Sequence, residues 1–174
     1  MSAVAIRKAG LVLALAVAVA GVYAARHHYR SRSVSLPNLP APQLSLTDID
    51  GRAVHTSDYN GRVLLVSFWA AWCLPCNEEV PHFVELQQKY QNQGLQTIGF
   101  SVDDARDDLR NFYQKFKMNY PVVPADQKTL SAYGGLPGLP TTLLIDRRGR
   151  IREKYVGYTD FNKLEQRIIA LLRA

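Results

Sequence analysis

The chain has 174 residues, 47% hydrophobic and 21% charged, a composition that supports a buried core and excludes wholesale disorder. Its net charge of +6 is concentrated at one end: residues 1–42 hold Arg7, Lys8, Arg26, Arg30 and Arg32 and no acid, leaving 21 − 5 = 16 basic against 15 acidic residues elsewhere. So nearly neutral a remainder gives no electrostatic case for binding DNA or RNA, and no nucleic-acid partner is expected.

In chain order, Arg7 and Lys8 precede an uncharged run rich in Ala, Val and Leu over residues 9–25. As a helix this run would span about 25 Å at about 1.5 Å per residue. That is short for a bilayer core of about 30 Å, yet long for the apolar part of a signal peptide. Val22-Tyr23-Ala24 has the small residues of a cleavage site, whereas Arg26, Arg30 and Arg32 follow at once and oppose translocation. The expected reading is a cytoplasmic stub over 1–8 and a transmembrane signal anchor over 9–25, with a removed signal peptide as the alternative. Residues 26–42, ending in Pro37, Pro40 and Pro42, read as an extended spacer. The globular domain is expected over 43–174.

Within that domain Asp50-Gly51 is a hairpin signal between strands at 43–46 and 52–54. Residues 63–68, Val-Leu-Leu-Val-Ser-Phe, form the continuous apolar run of a central strand buried on both faces. A helix is expected from the cysteines to about residue 92, burying Val80, Phe83, Val84, Leu86 and Tyr90, bent at Pro81 and stopped by Gly94. A strand over 95–102 and a helix over 105–118 follow, the helix turning Leu109, Phe112, Tyr113 and Phe116 inward. Then come a brief strand at 122–123, a short helix at 128–133 ended by Gly134-Gly135, and a hairpin of 141–145 with 151–156. A last helix over 161–172 is capped by Thr159 or Asp160. Such alternation implies an α/β fold, a mixed sheet with helices on both faces.

The chain has two cysteines, Cys73 and Cys76, in Trp69-Ala-Ala-Trp-Cys-Leu-Pro-Cys-Asn77. A buried strand runs into them and a helix starts there. Cys73 would therefore sit at the helix N-terminus, where unpaired N–H groups and the macrodipole favour thiolate over thiol. Cys76, one turn on, faces inward within reach of the first sulfur. An exposed attacking thiolate with a sheltered resolving thiol is what two-step disulfide exchange requires. Other uses of the pair have weaker support. Structural zinc needs four ligands, and His27, His28, His55 and His82 stand at no ligand spacing. A structural staple would close a longer loop. A Cu(I)-holding module remains an alternative, since thiolates suit Cu(I), with His82 or Met118 as third ligand.

The Trp-Cys-x-x-Cys at a strand-to-helix junction, with Pro140 before the strand at 141–145, resembles thioredoxin. More narrowly, Phe68 through Pro81 and Gly138-Leu-Pro-Thr-Thr-Leu-Leu-Ile-Asp146 resemble the TlpA/ResA-like branch of membrane-tethered, extracytoplasmic thiol–disulfide oxidoreductases of bacteria. The resemblance covers about residues 43–174 and implies a thioredoxin-like three-layer domain with an added N-terminal hairpin. It implies a reductase in which Cys73 attacks, Cys76 resolves, and the redox-active Cys73–Cys76 disulfide replaces any other cofactor. Electron flow in the opposite sense, an oxidase or isomerase, is the alternative.

Further residue roles follow from the same resemblance. Pro140 matches the family's cis-proline beside the cysteines, turning the backbone of Leu139 outward to pair with a substrate strand. Trp72, Leu74, Pro75, Leu139 and Thr141 would form the substrate face, while Trp69 packs in the core. Pro137, in the adjacent Gly-Leu-Pro copy, is read as an ordinary trans loop proline. Glu79 matches an acid placed beside the resolving cysteine, one helical face from Cys76; a solvated charge like Glu78 is the plainer reading. Thioredoxin itself has a buried Asp where this chain has Ser67, which leaves Glu79 as the proton carrier. The implied partners are protein disulfides, such as apocytochrome c or copper-site assembly proteins, and a membrane thiol electron donor. The chain is expected to be a monomer on the periplasmic side of the bacterial inner membrane.

Overall fold

The structure, a computed structural model, describes residues 13, 15–22, 32–102 and 106–174. Two compact units separate at residues 30 and 31. In the first, residues 15–22 are helical and expose Leu15, Val17, Val19 and Val22. No helix among the described residues is long and apolar enough to cross a membrane. The expected stub at 1–8 and much of the expected span at 9–25 lie outside the described residues.

The second unit is built on a six-stranded sheet. Its strands are β1 (Arg32–Pro40), β4 (Val63–Trp69), β5 (Leu95–Ser101), β6 (Val122–Pro124), β7 (Thr141–Ile145) and β8 (Arg150–Val156), in the order β1-β8-β7-β4-β5-β6. β4, β5 and β6 run parallel, while β7, β8 and β1 are added antiparallel. A separate antiparallel pair, β2 (Ser45–Thr47) and β3 (Ala53–His55), is the expected hairpin, shifted along the chain by one or two residues.

Every residue of β4 is buried. Side chains alternate across a strand, so β4 supplies two cores. Val63, Leu65 and Trp69 pack on one face with Val80 and Phe83 of α1 (Leu74–Tyr90), Phe112 of α2 (Arg106–Lys115) and Leu164 of α4 (Phe161–Arg173). Leu64, Val66 and Phe68 pack on the other with Val54, Tyr133 and Leu130 of α3 (Gln127–Ala132). The mixed, three-layer arrangement is the expected one.

Two boundaries differ from expectation by more than two residues. α2 ends at Lys115, short of residue 118, because Lys117 turns left-handed at φ 50°. Met118 N–H then reaches the Tyr113 carbonyl and Lys117 N–H that of Gln114, closing the helix in a Schellman turn with Met118 buried. The second difference is larger. Within the expected spacer, residues 32–40 are a strand, β1, paired with β8 from Arg32 opposite Val156 to Pro40 opposite Arg150. Prolines are tolerated on an edge strand and at bulges. Pro37 falls inside the register shift between Ser35 and Leu39, and Pro40 closes the strand. The folded unit thus begins near residue 31, not 43.

At the end of the sheet away from the cysteines, the guanidinium of half-buried Arg147 collects three backbone carbonyls. Nη1 donates to Gly61 O at 2.8 Å, and Nη2 to Gln93 O and Leu172 O at 3.0 Å each. It joins the approach to β4, the approach to β5 and the last turn of α4, whose carbonyls have no intrahelical donor. Arg147→Met keeps an apolar stem but removes all three charge-assisted bonds, and should lower the unfolding free energy by about 2–3 kcal/mol. Urea denaturation measures this; a loss below about 0.5 kcal/mol would mean that water serves the carbonyls equally well.

Candidate active site

β4 delivers Trp69 into the core and the chain turns through Ala70-Ala71-Trp72, with Cys73 N–H donating to Ala70 O at 3.1 Å. Cys73 is the N-cap of α1: its backbone is extended, and its sulfur accepts the Cys76 N–H at 3.3 Å. Pro75 lies in the first helical turn, where a missing N–H withdraws nothing from the ladder. The two cysteines form a disulfide, S–S 1.98 Å and Cα–Cα 5.2 Å. Cys76 is 0% exposed and Cys73 5%. The order matches expectation, but the first sulfur is far less open than expected in this oxidised state.

Around the disulfide the rim is apolar. Trp72 is 70% exposed and Leu74 75%, large hydrophobic side chains left facing solvent. Pro75, next to Leu74 in the chain, is half-buried, as is Leu139, which packs against both cores. The Leu139–Pro140 peptide bond is cis, as the resemblance implied. Pro140 precedes Thr141, which stands opposite Phe68, so it reaches the end of β4 from which the cysteines depart. Thr141 differs from its expected role. It is fully buried and its hydroxyl donates to Gly138 O at 2.7 Å, so it supports the loop and offers no side chain to a client.

Glu79 is 1% exposed, whereas its neighbour Glu78 faces solvent. Its Oε1 accepts the Thr159 N–H at 2.5 Å, and Oε2 has no hydrogen-bond partner among the described residues. Burial pushes the carboxyl up to about 7, opposed in part by the Thr159 bonds. Cys76 and Glu79, three residues apart, share a helix face, and both are sealed from water. Thr159 joins the site although its place in the sequence points only to helix capping. The cap is Asp160, accepting from Lys163 N–H, and nothing local ties Thr159 to an acid eighty positions earlier. The polar lining of this core continues in Trp69 Nε1, Asn77 Oδ1 and the Tyr120 hydroxyl, all buried without partners among the described residues. Ser67 is also buried, its Oγ likewise without a partner there.

The residues named for a copper site are placed otherwise. His82 lies against Phe161 with ring centroids 4.2 Å apart and planes tilted by 30°, its Nδ1 3.9 Å from a Glu85 carboxylate oxygen, and Met118 is buried just after α2. Among the described residues no group of three or more His, Cys, Asp or Glu is disposed to hold a metal ion. The arrangement present is a disulfide at a helix N-terminus, an acid behind it whose pKa burial raises to about 7, and exposed apolar side chains, Trp72 and Leu74, beside it. These are the parts of thiol–disulfide exchange.

Comparison with known proteins agrees. The family model described as the AhpC/TSA family matches residues 37–154. The chain is 30% identical over 159 residues to thiol-disulfide oxidoreductase ResA of Geobacillus thermodenitrificans, covering 91% of each chain. A crystal structure from Chlorobium tepidum described as thiol:disulfide interchange protein DsbE is 32% identical, with a TM-score of 0.74 over 80% of this chain and 99% of that one. Another from Chlorobium tepidum, a thioredoxin family protein, is 26% identical at the same TM-score, covering 80% and 99%. The fold is thioredoxin-like, the reactive group is the Cys73–Cys76 disulfide, and the chain belongs to the AhpC/TSA family as a ResA-like thiol–disulfide oxidoreductase.

Proposed function

We propose that this oxidoreductase works outside the cytoplasm, tethered by residues 9–25, and delivers electrons to disulfides in client proteins. The Cys73 thiolate attacks one sulfur of a client disulfide, and the other client sulfur leaves as thiolate. Cys76 then gives up its proton and attacks the Cys73 sulfur, releasing the second client thiolate. The client gains two electrons, and the domain is left with the Cys73–Cys76 disulfide seen here. A membrane thiol donor restores the dithiol. Glu79 is the base that takes the Cys76 proton, since a carboxylate with a pKa near 7 is half ionised at working pH. Trp72, Leu74 and Pro75 bear on the apolar side of the client, while Leu139 pairs with its backbone.

The observation that carries this reading is the disulfide at the cap of α1 with a buried, near-neutral acid one turn behind it. The periplasmic location is supported by the apolar run behind Arg7 and Lys8. Haem-attachment cysteines of apocytochrome c and the cysteines of copper-site assembly proteins are the proposed clients, supported by the TlpA/ResA-like motifs. A reducing direction is proposed on the same grounds.

In cells, Cys76→Ala should accumulate a disulfide-linked client on Cys73, visible as a heavier band without reductant and absent when Cys73 is also replaced. If no such species appears, Cys73 does not attack a client disulfide. An oxidised peptide carrying Cys-x-x-Cys-His should be reduced with an inflection near pH 7, and Glu79→Gln should remove that inflection. Glu79 makes a second prediction through linkage. Between about pH 4.5 and 7 the folded chain holds a proton that the unfolded chain has lost, so stability falls as pH rises through that window. Going from about pH 4.5 to 8, the oxidised wild type should lose about 3 kcal/mol more than Glu79→Gln in urea unfolding. Parallel pH curves for the two proteins would mean that Glu79 titrates in its ordinary range.

A further inference from the structure

Of the doubled Gly-Leu-Pro over residues 135–140, the second copy carries cis-Pro140 and the first follows directly on α3. The segment leading into it is poorly fixed by packing. Gly134 and Gly135 sit at φ +79° and +77°, and an added Cβ at Gly134, Gly135 or Gly138 would meet nothing within 4 Å. Three glycines in five residues give this stretch a large conformational freedom to lose. Hydrogen bonds set its position instead. At its start, Gly134 N–H and Gly135 N–H close α3 on Ser131 O and Leu130 O. At its end, the Thr141 hydroxyl holds Gly138 O and Gly157 N–H holds Pro140 O at 2.9 Å.

Between those ties one charged side chain grips the loop. Lys154 stands on β8 opposite Leu143, on the face of the sheet that α3 covers, and its Nζ donates to Gly135 O at 3.2 Å. The ammonium is half-buried, and that burial lowers its pKa, so it has given up part of its hydration for this contact. Leu136 packs on the same core, while Leu139, three residues on, reaches both. No backbone hydrogen bond is found for Leu139 N–H or C=O among the described residues, which leaves both available to an extended partner.

We infer that Lys154 is a positioning residue for peptide clients: by holding Gly135 O it fixes the backbone from Leu136 to Leu139 at the height where a client strand pairs with it. This rests on the reading of Leu139 as the pairing residue. Lys154 lies across the sheet from the reactive sulfurs and touches no client, so its influence appears in recognition and not in sulfur chemistry.

Lys154→Met keeps the packed stem and removes the donor, and two measurements on the full chain test it. Amide hydrogen exchange at Gly135 and Gly157, whose N–H groups tie the two ends of the loop through Leu130 O and Pro140 O, should quicken by about tenfold, the loss of one charge-assisted bond. With oxidised Cys-x-x-Cys-His peptide as substrate, KM should rise by about fivefold to tenfold relative to that for hydroxyethyl disulfide, which is too small to pair along the loop. The peptide kcat and the melting temperature should stay close to wild type. Unchanged exchange would overturn the anchoring role. Faster exchange with an unchanged KM ratio would overturn the positioning role and leave Lys154 a stabilising contact. Wild-type protein that turns over hydroxyethyl disulfide but shows no saturable kinetics with the peptide would overturn the pairing role of Leu139, and with it that of Lys154.

Discussion

The hand-over from β4 to α1 is the constraint on which this molecule depends. A strand buried along its whole length can end only where its last residue is covered, and Trp69, stacked on Phe112, is that residue. The next element must start at once, and its first turn has N–H groups with no partner of their own. The Cys73 sulfur takes the place that a serine or aspartate oxygen usually fills at an N-cap, accepting the Cys76 N–H. One geometry therefore satisfies the helix end and favours negative charge on the sulfur. It also sets the partner sulfur one turn away.

The rest of the site is assembled by a single hairpin. β7 and β8 are antiparallel, so the start of one and the end of the other lie side by side, Thr141 opposite Val156. The segment before β7 brings Leu139 and cis-Pro140 to the cysteines. The segment after β8 brings Thr159, whose N–H reaches Glu79, and Gly157 N–H ties the two segments together at Pro140 O. The hairpin thus supplies both the loop that carries cis-Pro140 and the donor that orients the acid. Glu79 keeps one oxygen without a partner among the described residues in a sealed core, which is costly for a carboxylate and favours its protonated form. An acid held there for structural reasons alone would be a poor choice of residue.

Much of this was legible in the sequence because the signals were local. The apolar run at 63–68, the Cys-x-x-Cys at its end, Gly94 after the helix and the Asp146–Gly149 turn each speak for themselves within a few residues. Pro140 was legible through the resemblance of its motif. What escaped was long-range or context-bound. A proline-rich stretch carries no strand pattern, and β1 becomes a strand only because β8 offers an unpaired edge. Thr141 looks like a surface residue beside a client until the β4 register turns it inward. Thr159 and Arg147 act through partners dozens of residues away, and neither has a neighbour in sequence that announces the contact. Lys154 reads as one more polar residue of an alternating strand.

The pairing of β1 settles where the polypeptide is attached. Arg32 lies level with Val156, Val156 with Thr141, and Thr141 with Phe68, the last residue but one before the turn to the disulfide. The main chain consequently enters the domain at the same rim that bears the reactive sulfurs, whereas α4 runs out at the far side, where Arg147 holds Leu172. A probe attached at Arg32 would therefore report on the neighbourhood of the disulfide, and one at Leu172 would not.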